Sequence, residues 1–118
     1  MRSLMQTTKW AGVAALVAVA MLLNGASSAQ EGAAVVHLSV KNHQFVPAEI
    51  KGPANRPITL RIKNLDAKPM EFESVSLRVE KVIAGNSEGI INLRPLQPGR
   101  YNFLDDFNQS TKGTLVIQ

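Results

Sequence analysis

The chain has no cysteine, and only two histidines, one tryptophan and one tyrosine among its 118 residues. Without a thiol it can form no disulfide, no thiolate-ligated metal centre and no lipid-modified amino-terminal cysteine. Neither histidine stands at a recognisable spacing from a nucleophile, so hydrolase chemistry has no support. Basic runs are missing and aromatic residues make up 5% of the chain, which removes the features expected of a nucleic-acid binder. Helical periodicity is scarce as well. Past residue 30 no segment holds an apolar 3.6-residue repeat long enough for a substantial helix, although "FESVSLRVEKV" has room for one turn.

What is present begins with a leader-like segment. Arg2 and Lys9 precede an uninterrupted apolar run at residues 11–23, and "NGASSAQ" follows with small residues at Ser27 and Ala29. A basic stretch, a short apolar stretch and a small-x-small site in that order describe a secretory signal peptide over residues 1–29. Its thirteen apolar residues fall short of the ~20 that a membrane-spanning helix needs. The expected product is a periplasmic or secreted protein of residues 30–118 that is not inserted in the membrane. Losing Arg2 and Lys9 lowers the net charge by two from the +4 of the whole chain. A domain of this size with no disulfide depends on its apolar core.

That remainder reads as strands separated by turn formers. "AVVHLSV" alternates after its paired valines, and "PITLRIKN" places Ile58, Leu60 and Ile62 on one face. "GIINLRPL", "YNFLDDF" and "GTLVIQ" follow, divided by "KGPANRP", "NLDAKP", "AGNSEG" and "LQPGR". Short strands at regular spacing with Gly, Pro, Asn and Asp between them predict an all-β sandwich or barrel in a single domain. In "KNHQFVPAEI", Pro47 cannot donate to a ladder, so the chain is expected to break there and cross to a new strand at Ile50.

"FVPAEI", "ITLRIKNLDAKP", "LQPGRYNF" and the closing "KGTLVIQ" together resemble the cupredoxins, in this order and over nearly the whole of residues 30–118. The resemblance implies a Greek-key β-sandwich. It also implies where blue-copper ligands would stand: a cysteine at Asp105, a histidine at Asn108 and another at Met70. None of the three is the required residue, and the turn from Asp106 to Lys112 carries no methionine. A type 1 copper centre is therefore excluded by the missing thiolate. Glu-Phe-Glu-Ser at residues 71–74, Glu80 with Lys81, and Asp-Asp-Phe at residues 105–107 are similar to a narrower group, the EfeO-type cupredoxin-like domain associated with bacterial ferrous-iron uptake. In that group acidic residues largely replace the copper ligands. This chain departs from it at Met70, where an acidic residue is common, and at Asn108, where a histidine is common.

The resemblance implies a transition metal, Fe or Cu, held by oxygen ligands from Glu73, Glu80, Asp105 and Asp106. His43 would be the nitrogen ligand and Met70 a soft thioether. Glu71 and Glu73 alternate across Phe72, so in a strand they share one face while Phe72 turns to the core. Clustered carboxylates repel unless a cation or a basic partner lies between them. Structural roles stay open for each residue: ion pairs with Arg78, Lys81 or Lys112, Asp105 as an acceptor for loop amides, Met70 as a core filler, and His43 and His37 as outward-facing strand residues. The implied function is an accessory to ferrous-iron or copper uptake that binds the metal, hands it over or helps oxidise it. Its partner would be an inner-membrane iron permease or a related periplasmic protein. The alternative is a metal-free adaptor that keeps the fold and docks such a partner.

Overall fold

Alternation governs this chain from Ala34 onward, and each alternating stretch becomes a strand with one face inside. The computed structural model describes residues 32–118; the expected leader at 1–29 lies outside the described residues. The strands are β1 (Ala34–Lys41), β2 (Gln44–Val46), β3 (Glu49–Gly52), β4 (Ile58–Asn64), β5 (Met70–Ser74), β6 (Val79–Ile83), β7 (Ser87–Leu93), β8 (Gly99–Asp105) and β9 (Asn108–Ile117). They form two sheets, one of four strands ordered β2-β1-β4-β7 and one of five ordered β3-β9-β8-β5-β6. β1 runs parallel to β4 and β3 parallel to β9, while the other pairs are antiparallel.

The crossing expected at Pro47 is present: β2 pairs with β1 in one sheet, and β3 pairs with β9 in the other. Ile58, Leu60 and Ile62 are fully buried between the sheets, as their spacing predicts. His37 lies exposed on β1 between buried Val36 and Leu38. Phe103 joins the two layers. Its ring centroid lies 4.9 Å from that of Phe45, edge-on, and 4.9 Å from that of Phe72, stacked. Such pairs add about 0.5–1.5 kcal/mol beyond the area they bury. Gly113 stands opposite Phe103 in the β8–β9 ladder, and a β-carbon there would meet the ring at 2.5 Å. The glycine of the "KGTL" motif thus gives the ring its room.

Two segments differ in detail from the sequence reading. "FESVSLRVEKV" is a hairpin rather than a helical turn: β5 and β6 join through residues 75–78, with Arg78 at a φ of 57° and its amide bonded to the Val75 carbonyl. The stretch after "YNFLDD" is shorter than a loop. The chain reverses at Asp106 and Phe107, so that Asn108, Gln109 and Ser110 already belong to β9. The Asp105 carboxylate accepts the Phe107 amide at 3.0 Å, an Asx turn that bends the backbone there.

Candidate metal site

Period-two alternation divides β5 between two environments. Met70, Phe72 and Ser74 are buried, while Glu71 and Glu73 lie half-buried on the outer face of the five-stranded sheet. β8 reaches the same region from the other side, with Phe72 opposite Asp105 and Glu73 opposite Leu104. Beyond that short ladder one more backbone bond follows, from the Asp106 amide to the Glu71 carbonyl at 2.8 Å. It sets Asp106 beside Glu71. Ligand-type oxygens of Glu71, Glu73 and Asp106 consequently lie within 4.8 Å of one another.

These carboxylates do not titrate as isolated groups. Loss of hydration pushes the Glu71 carboxyl above its ordinary value, helped by a hydrogen bond to Asp106 and by the negative charge of Glu80. Glu73 is raised chiefly by its hydrogen bond to Asp106, then by burial and the surrounding charges of Asp106, Glu80 and Glu71. Asp106 moves the other way. The Gln109 side-chain amide donates to its Oδ1 at 3.0 Å, and Glu73 and Glu71 add further bonds, so Asp106 holds its charge. The two glutamates therefore give up their protons less readily than ordinary carboxyls and Asp106 more readily, and a divalent cation placed among the three would favour their charged forms.

The other residues implied by the resemblance are dispersed. Glu80 faces Glu73 across the β5–β6 ladder and adds charge, but it lies outside the group of three. Asp105 points inward and is only 3% exposed; its Oδ1 accepts the Glu71 and Phe107 amides, each at 3.0 Å. Met70 is 2% exposed and packs in the core. His43 sits in the β1–β2 turn at a φ of 57°. Its amide donates to Asp66 Oδ2 at 3.0 Å and its carbonyl accepts the Thr111 hydroxyl, while its imidazole joins no group of clustered ligand atoms among the described residues. Glu71 is the member of the triad that the expected ligand set left out. The signal for it was the same alternation that pairs it with Glu73 around Phe72.

Glu73 and Asp106 also form one end of an open groove of about 1010 Å³ on the outer face of the sheet, bordered by Val75, Asn102, Leu104 and Lys112.

Two sheets closed by parallel pairings at both ends of the chain, with the Pro-Gly-x-Tyr-x-Phe strand feeding a turn at the sandwich end, define a cupredoxin-class β-sandwich. The chain belongs to the cupredoxin-like domain family, whose model matches residues 12–117. An uncharacterized protein of Rickettsia prowazekii (strain Madrid E) is 35% identical over 94 residues, which cover 80% of this chain and 75% of that protein. The metal-binding domain of the Streptococcus pneumoniae D39 Cu(I)-exporting P-type ATPase CopA, solved with Cu(I), superimposes with a TM-score of 0.64 at 17% identity, over 78% of this chain and 92% of that one. Auracyanin A, a blue copper protein of Chloroflexus aurantiacus, gives a TM-score of 0.61 at 13% identity, over 74% of this chain and 100% of that one. Likeness at these identities shows the fold.

The residues here do not fit a blue-copper centre. The sandwich end offers Met70, Asp105 and Asn108 in the places implied for its ligands, and no thiolate. The outer triad fits a different ion. Three carboxylates, two of them with raised carboxyls, could serve as an all-oxygen donor set for a divalent cation of hard or intermediate character.

Proposed function

We propose that this protein is an EfeO-type cupredoxin-like metal carrier of the cell envelope, and that its cargo is a divalent transition metal, with Fe²⁺ foremost. The observation that carries the reading is the convergence of Glu71, Glu73 and Asp106 oxygens within 4.8 Å on one sheet face. Glu80, across the ladder from Glu73, supplies charge to the same patch. Oxygen ligands suit Fe²⁺ and Mn²⁺ better than the Cu(I) held by the pneumococcal domain, which favours soft sulfur. Three protein carboxylates leave coordination positions for water or for a ligand from a partner. That suits a site that receives and releases its ion at a permease more than one that stores it. The leader-like residues 1–29 and the Glu-Phe-Glu-Ser, Glu-Lys and Asp-Asp-Phe motifs support export and a role beside an inner-membrane iron permease.

Calorimetric titration of the metal-stripped protein with anaerobic Fe²⁺, Mn²⁺ and Cu²⁺, beside a Glu73→Ala, Asp106→Ala double variant, tests this. Saturable one-to-one binding that disappears in the variant is the expected result. The burial of Met70 and the engagement of Asp105 Oδ1 by two amides favour a second reading, a metal-free adaptor, because both give these side chains structural roles. Absence of binding below the millimolar range would establish that reading in place of the first.

A further inference from the structure

We propose that Asp105 is a positioning residue of the acidic triad and not one of its ligands: its buried carboxylate clamps β5 to the β8–β9 turn and so sets the Glu71–Asp106 spacing. The inference rests on the metal-carrier reading for its consequence, but its geometry is independent of any metal. Regular pairing between β5 and β8 consists of Phe72 with Asp105 and Glu73 with Leu104, and it stops short of Glu71. Past that point Glu71 is held at both of its backbone groups by the turn. Its amide donates to Asp105 Oδ1 at 3.0 Å, and its carbonyl accepts the Asp106 amide at 2.8 Å.

The same Oδ1 accepts the Phe107 amide at 3.0 Å, which fixes the direction in which Asp106 leaves the strand. One oxygen therefore orients the two residues that supply two of the three donor groups. The ladder beneath is irregular enough to need this. The β8–β9 register shifts between Leu104, opposite Lys112, and Asp105, opposite Asn108, so the Asp105–Asn108 pair at the base of the turn is cut off from the continuous ladder. At 3% exposure the carboxylate is directed to the protein interior, on the other side of the sheet from the half-buried triad.

The discriminating variants are Asp105→Asn, which keeps an acceptor oxygen for both amides, and Asp105→Ala, which removes it. Metal titration with Fe²⁺ and Mn²⁺ should leave Asp105→Asn within a few-fold of the parent. Asp105→Ala should weaken binding roughly 10–100-fold, the usual consequence of losing an outer support of a metal ligand. Asp106→Asn serves as the ligand control. If Asp105→Asn loses as much affinity as Asp106→Asn, Asp105 is a ligand and the proposal is overturned. Unchanged affinity in Asp105→Ala overturns it equally.

Amide hydrogen exchange on the metal-free protein keeps the two ideas separate. The Asp106 amide bonds to Glu71 and not to Asp105, so faster exchange of that amide in Asp105→Ala, with protection kept in Asp105→Asn, reports loss of the clamp itself. Retained protection in Asp105→Ala overturns the clamp whether or not metal binds. A parent protein that binds neither ion while showing the expected exchange pattern overturns the metal reading and supports the clamp. Should Asp105→Ala fail to fold, comparison of Asp105→Asn with Asp106→Asn decides between ligand and support.

Discussion

The inward and outward sides of the β5–β8 pair carry the same kinds of residue to opposite ends. Inward, Met70 and Asp105 are buried, one packed among apolar neighbours and the other bonded to two backbone amides. Outward, Glu71, Glu73 and Asp106 stand half-buried, mutually repelling, with two of their carboxyls raised. Asp105 and Asp106 are neighbours in sequence, yet one is buried against two backbone amides and the other lies on the outer face with Glu71 and Glu73. An oxygen that already accepts two amides, as Asp105 Oδ1 does, has little left for a cation, whereas clustered carboxylates repel unless a cation or a basic partner lies between them.

The largest expected effect comes from removing the wall between the two sides. Phe72 is fully buried and stacked on Phe103, so Phe72→Ala should destabilise the domain by about 3–5 kcal/mol in urea unfolding. Met70→Leu, also in the core, conserves volume and should cost less than about 1.5 kcal/mol. It should leave Fe²⁺ and Mn²⁺ affinity unchanged in calorimetry, and a large loss would move the site to the inward side. Asp66→Ala should cost about 1 kcal/mol, since Asp66 accepts the Asn42 and His43 amides at 2.7 and 3.0 Å and is partly screened by solvent. Those amides hold its carboxyl below the ordinary value of 3.8, so this contribution is present above that value and lost as the pH falls through the depressed one.

The smallest effect is the most direct probe of the outward side. Glu71 and Glu73 have raised carboxyls in the folded protein, so their contribution is fully present below the ordinary value of 4.5 and is lost as the pH rises through the raised values. Asp106 is depressed; its contribution is present above 3.8 and is lost as the pH falls. From about pH 4.5 upward the metal-free protein should therefore lose urea resistance on account of the two glutamates. Glu73→Gln should flatten that decline, and Mn²⁺ should reverse it in the parent at neutral pH. A decline unaffected by both would mean that the triad does not act as a unit.

Much of this was written into the chain. The alternation of "PITLRIKN" and "MEFES" gave the inside and outside of β4 and β5, because a strand's side chains point to opposite faces by geometry alone. Pro47 announced the crossing between sheets, and the missing cysteine removed the thiolate centre before any fold was known. The resemblance carried by "FVPAEI", "PGRYNF" and "KGTL" named the cupredoxin sandwich that the strands build.

What alternation could not decide was the fate of residues at a turn. Asp105 and Asp106 look alike in sequence. Asp105 shares the inward side of Phe103 in β8, but only the reversal that follows, with the Asp105 carboxylate bonded to the Phe107 amide and the Asp106 amide to the Glu71 carbonyl, swings the other beside Glu71. His43 likewise reads as a strand-end ligand, but its place depends on Asp66 and Thr111, far along the chain, holding its backbone at a positive φ. The sequence by itself determined which faces are apolar, because that needs nothing but the period of a strand. Which acids meet was decided by the tertiary structure, because their meeting depends on hydrogen bonds between segments about thirty-five residues apart, Glu71 on one side and the Asp105–Phe107 turn on the other.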